Sequence, residues 1–266
     1  YLDRLERDGV KLKYIFETHF HADFVSGHVD LANKTGATIV YGPTTMPTGF
    51  EKHVATDGEI FEIGGIKIKA IHTPGHTMES TCYLVIDEEG KEHGLISGDT
   101  LFIGDVGRPD LAQHVIADLT QVKLARHSYH SLRNKIVPLS DDLIVYPNHG
   151  AGSACGKNMS KETTDTLGHQ KRVNYALNPN LTKEQFIKEI LTGLVPPPGY
   201  FPQNVLMNIK GYESIDTVMK KGSKALSVVE FELAANETQA LIIDTRSAQV
   251  FNKGFIPNSI NISIDG

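Results

Sequence analysis

The residues best suited to chemistry cluster near the start of this sequence, where three potential metal ligands alternate. The segment 18–28 reads Thr-His-Phe-His-Ala-Asp-Phe-Val-Ser-Gly-His, so His19, His21 and Asp23 occupy every second position. An isolated histidine is more often structural, but alternating side chains in a loop that leaves a strand can face one centre. Imidazole and carboxylate groups in this pattern predict a site for Fe, Zn or Mn.

Three further residues of ligand type stand beside Gly or Pro at the ends of predicted strands. They are His76 in Thr-Pro-Gly-His-Thr, Asp99 in Ser-Gly-Asp-Thr and His149 in Tyr-Pro-Asn-His-Gly. The backbone turns sharply at such places, so each side chain can face a cleft shared with the first cluster. We therefore expect the metal site to combine residues from several strand ends.

The order His-x-His-x-Asp, then His, then Asp, then His resembles the metallo-β-lactamase superfamily from the N-terminus to the His149 loop. This resemblance implies an α/β fold, an αββα sandwich with its metal site at the edge between two sheets. One position departs from the commonest hydrolase pattern, because Phe24 stands where a histidine would help to hold a second metal. A phenyl ring cannot be a ligand, so we expect a single metal.

Longer stretches around these motifs resemble the persulfide dioxygenase branch of the superfamily: residues 18–27, 97–110, 146–158 and 163–174. The resemblance implies O2 as co-substrate and a low-molecular-weight thiol persulfide as substrate, oxidised to sulfite and thiol in hydrogen sulfide metabolism. It also implies one Fe(II) per protomer, the ion for which two imidazoles and one carboxylate are a known ligand set. The catalytic ligands would be His19, His76 and Asp99, with His21, Asp23 and His149 close by.

Two other functions stay open on the same residues. A metallo-hydrolase of thioesters, similar to glyoxalase II, or another hydrolase of metallo-β-lactamase type would use activated water and would favour Zn or a second metal. Phe24 counts against both hydrolases. A sulfur-carrier or regulatory scaffold would need a vestigial metal site, whereas His19, His76 and Asp99 are all intact.

Two residues near the motifs could act on the substrate. Arg108 could bind a carboxylate or phosphate of the thiol carrier through its planar fork, or it could pair with Asp105 or Asp110 and stiffen its own loop. Cys155 could accept a sulfane sulfur if nearby Lys157 favours the thiolate, and a buried unreactive cysteine is the alternative.

Short strands and helices alternate along residues 11–150 and must position these side chains. Strands are predicted at 13–17, 37–41 and 143–146, hairpins at 60–71 and 81–97, and helices at 25–34 and 116–135. Further along, Thr182 and Gln185 have the spacing of a capping box, which predicts that a helix begins there.

Two domains are expected. Residues 1–200 would form the persulfide dioxygenase domain with C-terminal helices, ending at the stiff Pro-Pro-Pro-Gly stretch 196–199. Residues 211–266 resemble the start of a rhodanese-like domain, a sulfurtransferase fold, through the segments 240–246 and 254–262. No cysteine follows Cys155 in the sequence, so any catalytic rhodanese cysteine would lie beyond Gly266.

Composition excludes several classes of partner. A net charge of -6 without a long basic stretch argues against nucleic acid and an anionic membrane surface. No apolar run approaches the roughly 20 residues that a membrane span needs. Two cysteines, Cys82 and Cys155, cannot form a disulfide framework, so we expect a reducing, cytoplasmic setting. The expected partners are a small-molecule substrate and further copies of the chain in a homo-oligomer.

Overall fold

The computed structural model describes residues 1–111 and 119–264. The chain folds into two compact units, Tyr1–Tyr212 and Glu213–Gly266. All of the predicted metal ligands lie in the first unit. No helix within the described residues is both long and apolar enough to cross a membrane.

The first unit begins with a small parallel sheet. Helix α1 (Leu2–Asp8) precedes strand β1 (Tyr14–Phe16), and helix α2 (His28–Thr35) leads to strand β2 (Thr38–Tyr41). Strands β1 and β2 pair in parallel, which requires a crossover, and α2 with the ligand-rich loop before it forms that crossover. A third strand, β3 (His53–Val54), pairs in parallel with β2.

The second sheet has six strands within the described residues, in sequence order across the sheet. Its strands are β4 (Ile60–Ile63), β5 (Ile66–His72), β6 (Thr81–Ile86), β7 (Glu92–Gly98), β8 (Ile144–Pro147) and β9 (Asp165–Thr166). The antiparallel pairs β4–β5 and β6–β7 confirm the two predicted hairpins. Gly64 makes the first turn possible, because its φ of 61° lies in the left-handed region that favours glycine.

Helices follow the sheets in the rest of the first unit. Helix α3 (Gln121–Ser131) continues into a π-helical turn, Leu132–Ile136. The sequence predicts this helix over 116–135, and the first residues of that range lie outside the described part of the chain. The next helices are α4 (Leu167–Val173), α5 (Lys183–Leu191) and α6 (Phe201–Lys210). Thr182 and Gln185 form the predicted capping box at the start of α5.

The core has layers because side chains alternate along each strand. On β6, Tyr83 packs between the two sheets with Val40 and Phe61. Its neighbour Leu84 points the other way, into a cluster that includes Phe186 of α5. A third cluster packs α6 against the small sheet and against the loop 17–27, called the metal loop because it carries His19, His21 and Asp23. This cluster contains Phe20, Tyr41, Phe102, Phe201 and Val205. The order helix, sheet, sheet, helix is the predicted α/β sandwich.

The second unit contains short helices and two paired strands. Helices α7 (Ile215–Gly222) and α8 (Val228–Thr238) precede strand β10 (Ile243–Asp244), and helix α9 (Ala248–Phe251) leads to strand β11 (Ile260–Asn261). Strands β10 and β11 pair in parallel. The predicted strand 240–246 is therefore shorter than expected, and Arg246 instead turns back to pair with Asp244.

Candidate metal centre

Three of the predicted ligands converge where strands of both sheets end. His19 follows β1, His76 lies in the loop after β5, and Asp99 directly follows β7. One ligand atom from each lies within 4.8 Å of the others, and all three residues are buried. They could hold one metal ion and are called the first ligand group.

Hydrogen bonds behind the first ligand group fix the direction of its rings. His76 donates its Nδ1–H to the carbonyl of Arg108 at 2.8 Å, and Nδ1 of His19 lies 3.0 Å from Oγ1 of Thr18. The Asn148 side chain donates to both Thr18 Oγ1 and Asp99 Oδ1. Such outer contacts leave Nε2 of each histidine to face the centre, which is the arrangement of metal-binding histidines.

A second ligand group lies directly beside the first. Asp23, His149 and Cys155 also bring one ligand atom each within 4.8 Å of one another. Asp99 stands between the groups, because its Oδ2 lies 3.4 Å from Nε2 of His76 while its Oδ1 lies 3.5 Å from Nε2 of His149. The two carboxylate oxygens of Asp99 therefore face different groups.

These donors fit a divalent cation. Buried polar atoms normally have hydrogen-bond partners, yet four buried atoms at this place have none: His21 Nδ1, Asp23 Oδ1, Asp99 Oδ2 and His149 Nε2. Metal bonds of ~2.1 Å in a tetrahedral shell place neighbouring ligand atoms ~3.4 Å apart, longer than a good hydrogen bond. The separations around Asp99 match that spacing, and the mixture of imidazole and carboxylate suits Zn, Fe or Mn.

His21 and Phe24 border the centre on the side of the metal loop. Nε2 of His21 lies 3.4 Å from Oε2 of Glu17, and its ring lies 4.3 Å from that of His19. Burial alone would lower the pKa of His21, but the hydrogen bond and charge of Glu17, with Asp99 and Asp23, raise it. The ring of Phe24 packs on His21 at 4.5 Å, so this residue covers His21 rather than offering a ligand.

The surroundings of His19 favour its neutral imidazole. Burial, followed by the positive charges of His21, His76 and His149, lowers the pKa of His19 well below its usual range. A histidine must be neutral to bind a metal, so this environment keeps His19 in the form that can bind.

Cys155 lies in a different setting from the one predicted. Burial, and then the charges of Asp99 and Asp23, raise the pKa of its thiol. Lys157 does not favour the thiolate, because its Nζ donates to the carbonyls of Glu189 and Thr192. The expected effect of Lys157 is therefore wrong, and a sulfur-reactive role for Cys155 stays a prediction.

Arg108 is buried and takes part in an internal ion pair. Its Nε and one terminal nitrogen donate to the two carboxylate oxygens of Asp110 at 2.7 and 2.6 Å. Further bonds reach the carbonyls of Ala154 and Val195. Four of the five guanidinium N–H groups thus have partners within the protein. This arrangement matches the alternative in which Arg108 pairs with Asp110 and stiffens its own loop. Binding of a substrate by Arg108 stays a prediction, and it would require Arg108 to leave these partners.

Two residues help to position the centre in ways that the sequence did not reveal. Asn208 of α6 is fully buried; its amide donates to the carbonyls of His21 and Phe24 and accepts from the amide of Ser26. Asp105 accepts bonds from the backbone amides of Lys157 and the residue after it, which fixes the loop that carries Cys155. No short motif marks either residue, because their partners are distant in sequence.

A cavity of about 880 Å³ opens beside His76. Its walls are mainly apolar and include Phe20, Met46, Met78, Leu111, Val205 and Ile209. No Lys or Arg is among its lining residues, within the part of the chain that is described, whereas Asp57 and Glu79 are. Mostly apolar cavities of this size are typical of binding sites for small molecules.

Residues 2–149 match the family profile of the metallo-beta-lactamase superfamily, which covers more than half of the chain. The chain belongs to this superfamily. Similarity to a crystal structure of a metallo-beta-lactamase from Staphylococcus aureus subsp. aureus COL extends over 100% of this chain and 74% of that one, with 31% identity and a TM-score of 0.79. ETHE1 from Myxococcus xanthus, at 24% identity and a TM-score of 0.61, covers 78% of this chain and 82% of its own and shares the fold.

Curated relatives of this superfamily member are named as hydrolases. The probable hydroxyacylglutathione hydrolase glo2 of Schizosaccharomyces pombe is 30% identical over 69% of this chain and 66% of the relative. The hydroxyacylglutathione hydrolase of Rhizobium etli is 34% identical over 56% of this chain and 52% of the relative. The chain thus spans between about half and two thirds of the length of these relatives.

These relatives correct the predicted enzyme class. The expectation of an Fe(II)-dependent persulfide dioxygenase is wrong, because the curated relatives at 30% and 34% identity are hydroxyacylglutathione hydrolases. The prediction rested on the stretches around the motifs that resemble the dioxygenase branch, and Phe24 only counted against a hydrolase. Asp23 and His149 nevertheless meet a third donor, Cys155.

Proposed function

We propose that the first unit is a metal-dependent hydrolase that cleaves acyl thioesters. The names of the curated relatives support this class of reaction. The observation that carries the proposal is the position of Asp99, whose two carboxylate oxygens face separate ligand groups at 3.4 and 3.5 Å from His76 and His149. A carboxylate in that position suits a hydrolase that uses neighbouring cations to activate water and polarise a carbonyl.

The residues of the first ligand group have a holding role in this proposal. His19, His76 and Asp99 would bind the cation, which supplies Lewis acidity toward the acyl oxygen and toward water. The carbonyl of Arg108 keeps the ring of His76 in place, and Asn148 does the same for the carboxylate of Asp99. These outer contacts lower the reorganisation that the reaction would otherwise require.

The apolar cavity provides the binding site for the acyl part of the substrate. It borders His76 and is lined by side chains such as Met46, Met78 and Ile209, which exclude water from an apolar group. Because Asp57 and Glu79 are its charged lining residues in the described chain, an anionic thiol carrier would be repelled there. We place the acyl group in the cavity and the carrier outside it.

The test is thioester cleavage by protein loaded separately with Zn, Mn or Fe(II). Released thiol is measured with a chromogenic thiol reagent, using acyl thioesters of glutathione and of coenzyme A, with a chromogenic β-lactam for comparison. We expect thioester cleavage that Asp99→Asn lowers by at least about a hundredfold. The matched control Asp142→Asn, at an exposed carboxylate, should keep full activity. Absence of thioester cleavage with every metal, in protein that retains its metal, would overturn the proposal.

For the second unit we propose an α/β domain of the rhodanese type. The parallel pair β10–β11, with helix α9 between its strands, supports this assignment. Since no cysteine follows Cys155, we expect no thiocyanate from thiosulfate and cyanide with this chain. Rapid thiocyanate formation that survives Cys155→Ser would contradict this expectation.

A further inference from the structure

We propose that Asp23, His149 and Cys155 form a second metal site in which the sulfur of Cys155 is a ligand. The inference deepens the proposed hydrolase function, on which its role in catalysis rests, because it replaces the donor that Phe24 cannot supply. Binding would exchange the thiol proton for the cation and release that proton to solvent, leaving a metal–thiolate bond.

The distances around His149 fit a shared cation better than hydrogen bonding. Its Nε2 lies 3.4 Å from Oδ2 of Asp23 and 3.5 Å from Oδ1 of Asp99. Both separations exceed a good N–H···O bond of about 2.9 Å, and both match the edge of a tetrahedral metal shell. Nε2 of His149 and Oδ1 of Asp23 are buried and lack any hydrogen-bond partner. Each of these two residues therefore has a buried polar atom that no hydrogen bond satisfies.

The backbone presents the sulfur of Cys155 to this point through several fixed contacts. The carbonyl of Cys155 accepts from the amide of Arg108 at 2.9 Å, and its amide donates to Oγ of Ser153 at 3.2 Å. Oδ2 of Asp105 accepts from the amide of Lys157 at 2.6 Å and so holds the following turn. A side chain on so constrained a loop has little conformational freedom left to lose when a cation binds.

Packing alone does not explain the position of Cys155. The residue borders the apolar cluster with Phe20 and Phe102, which accounts for its burial. An apolar role would not require a sulfur within 4.8 Å of ligand atoms from both Asp23 and His149. Cys82 shows what a structural cysteine looks like in this chain, since its thiol donates to the carbonyl of Ser97 and lies in the core beside Leu84.

A thiolate ligand would give the second site a distinct metal preference and a distinct spectrum. Sulfur is a softer donor than imidazole or carboxylate, so the second site should favour Zn or Co(II) over Mn relative to the first. Co(II) bound to thiolate has a charge-transfer absorption in the near ultraviolet that Co(II) bound only by nitrogen and oxygen lacks. The first ligand group has no sulfur, so this band would report the second site alone.

The experiment is a titration of metal-free full-length chain with Co(II), followed by absorption and by metal counting. We expect two cations per chain, with the thiolate band developing with the weaker one. Cys155→Ser should abolish the band and weaken the second cation by about tenfold or more while the first remains bound. The matched control Cys82→Ser should keep the band and both cations.

The outcomes separate this inference from the proposed function. A missing thiolate band in the unmodified chain at two cations, or an unchanged second affinity in Cys155→Ser, would overturn the second site. The unmodified chain alone carries the first of these tests, so a variant that fails to fold does not block it. Two cations with the band but without thioester cleavage would support the site and refute the hydrolase. Thioester cleavage with one cation and without the band would support the hydrolase and refute the second site.

Discussion

The two ligand groups of the first unit differ in the local structure that carries their residues and in the exposure of their side chains. His19, His76 and Asp99 stand at or shortly after strand ends and are 2%, 4% and 2% exposed. Asp23 and Cys155 lie on loops, and the side chains of Asp23 and His149 are 20% and 12% exposed. Strand ends thus position the first group and also His149 of the second. Asp23 and Cys155 instead lie on loops that hydrogen bonds to distant residues hold in place.

The strongest test of this difference is to remove one histidine from each group. His76→Ala should abolish binding of the first cation and lower thioester cleavage by at least about a hundredfold, because that cation would lack one of its three proposed ligands. His149→Ala should leave the first cation bound and remove only the second. Metal counting on both variants measures this directly, and equal losses would mean that the groups act as one unit.

The backbone of Arg108 contacts both groups and its side chain holds that backbone in place, so loss of the side chain should weaken both groups by shifting the backbone. Its carbonyl accepts from His76 and its amide donates to the carbonyl of Cys155, while its side chain pairs with Asp110. Arg108→Ala leaves the carboxylate of Asp110 without its cation and should lower the free energy of unfolding by roughly 3–5 kcal/mol.

Denaturant unfolding combined with steady-state kinetics tests this prediction for Arg108. A raised KM with unchanged stability would instead identify Arg108 as a contact to the thiol carrier. Arg108→Lys is the informative companion, because it keeps the charge but loses the paired geometry with Asp110.

Removal of the Asn208 side chain should lower the free energy of unfolding less than removal of the Arg108 side chain. It should, however, weaken the second ligand group more than the first. Asn208→Ala leaves the carbonyls of His21 and Phe24 and the amide of Ser26 without their partner, which should cost roughly 2–4 kcal/mol. The loop that carries Asp23 then loosens, so the second cation should weaken more than the first. Asn204→Ala is the matched control, because Asn204 makes a single bond to the carbonyl of Ala22. Equal metal affinities in the two variants would argue against this role of Asn208.

The smallest expected effect is on the pH dependence of stability, through His28 at the start of α2. Burial, the largest influence, lowers the pKa of His28 despite the opposing charge of Glu17 and the bond to the Ser26 carbonyl. Tyr41, Phe50 and Tyr212 face the same ring. The unfolded chain, with a histidine pKa of about 6.5, therefore binds the proton more readily than the folded chain.

Stability associated with His28 is consequently present above that unfolded pKa and is lost as pH falls through the lower folded value. His28→Gln should show a shallower decline in the free energy of unfolding over this acidic range. Unfolding by urea at a series of pH values, without added metal, measures both slopes. Identical slopes would show that His28 does not contribute to the acid sensitivity of the fold.

The first ligand group and the layered fold could be predicted from the sequence because their signals are local. His19, His21 and Asp23 alternate within a few residues, and turn residues mark the ends of the strands that carry His76 and Asp99. The same local information could not place Cys155, since its loop is held by hydrogen bonds that the amides of Lys157 and Asn158 donate to the distant Asp105. A closer signal did exist, because Cys155 follows His149 in one glycine-rich loop.

The expectation drawn from Phe24 illustrates the same limit. A motif shows which ligand type is missing at one position, but it does not show which distant side chains lie near that position. Asn208 illustrates the limit further, because it was hidden in an ordinary amphipathic helix pattern and its partners lie at the other end of the unit.

The hydrogen bonds of Asn208 to the loop from His21 to Ser26 also affect the order in which the two ligand groups form during protein synthesis. The loop from His21 to Ser26 leaves the ribosome early, while the helix that holds it follows 187 residues after His21. Until α6 has been made, the carbonyls of His21 and Phe24 lack the partner that they have in the folded chain, so the loop cannot adopt its final shape. Contacts of such long range form late in folding. A growing chain would therefore acquire the first ligand group before the second, and a chain interrupted ahead of α6 would hold Asp23 only loosely.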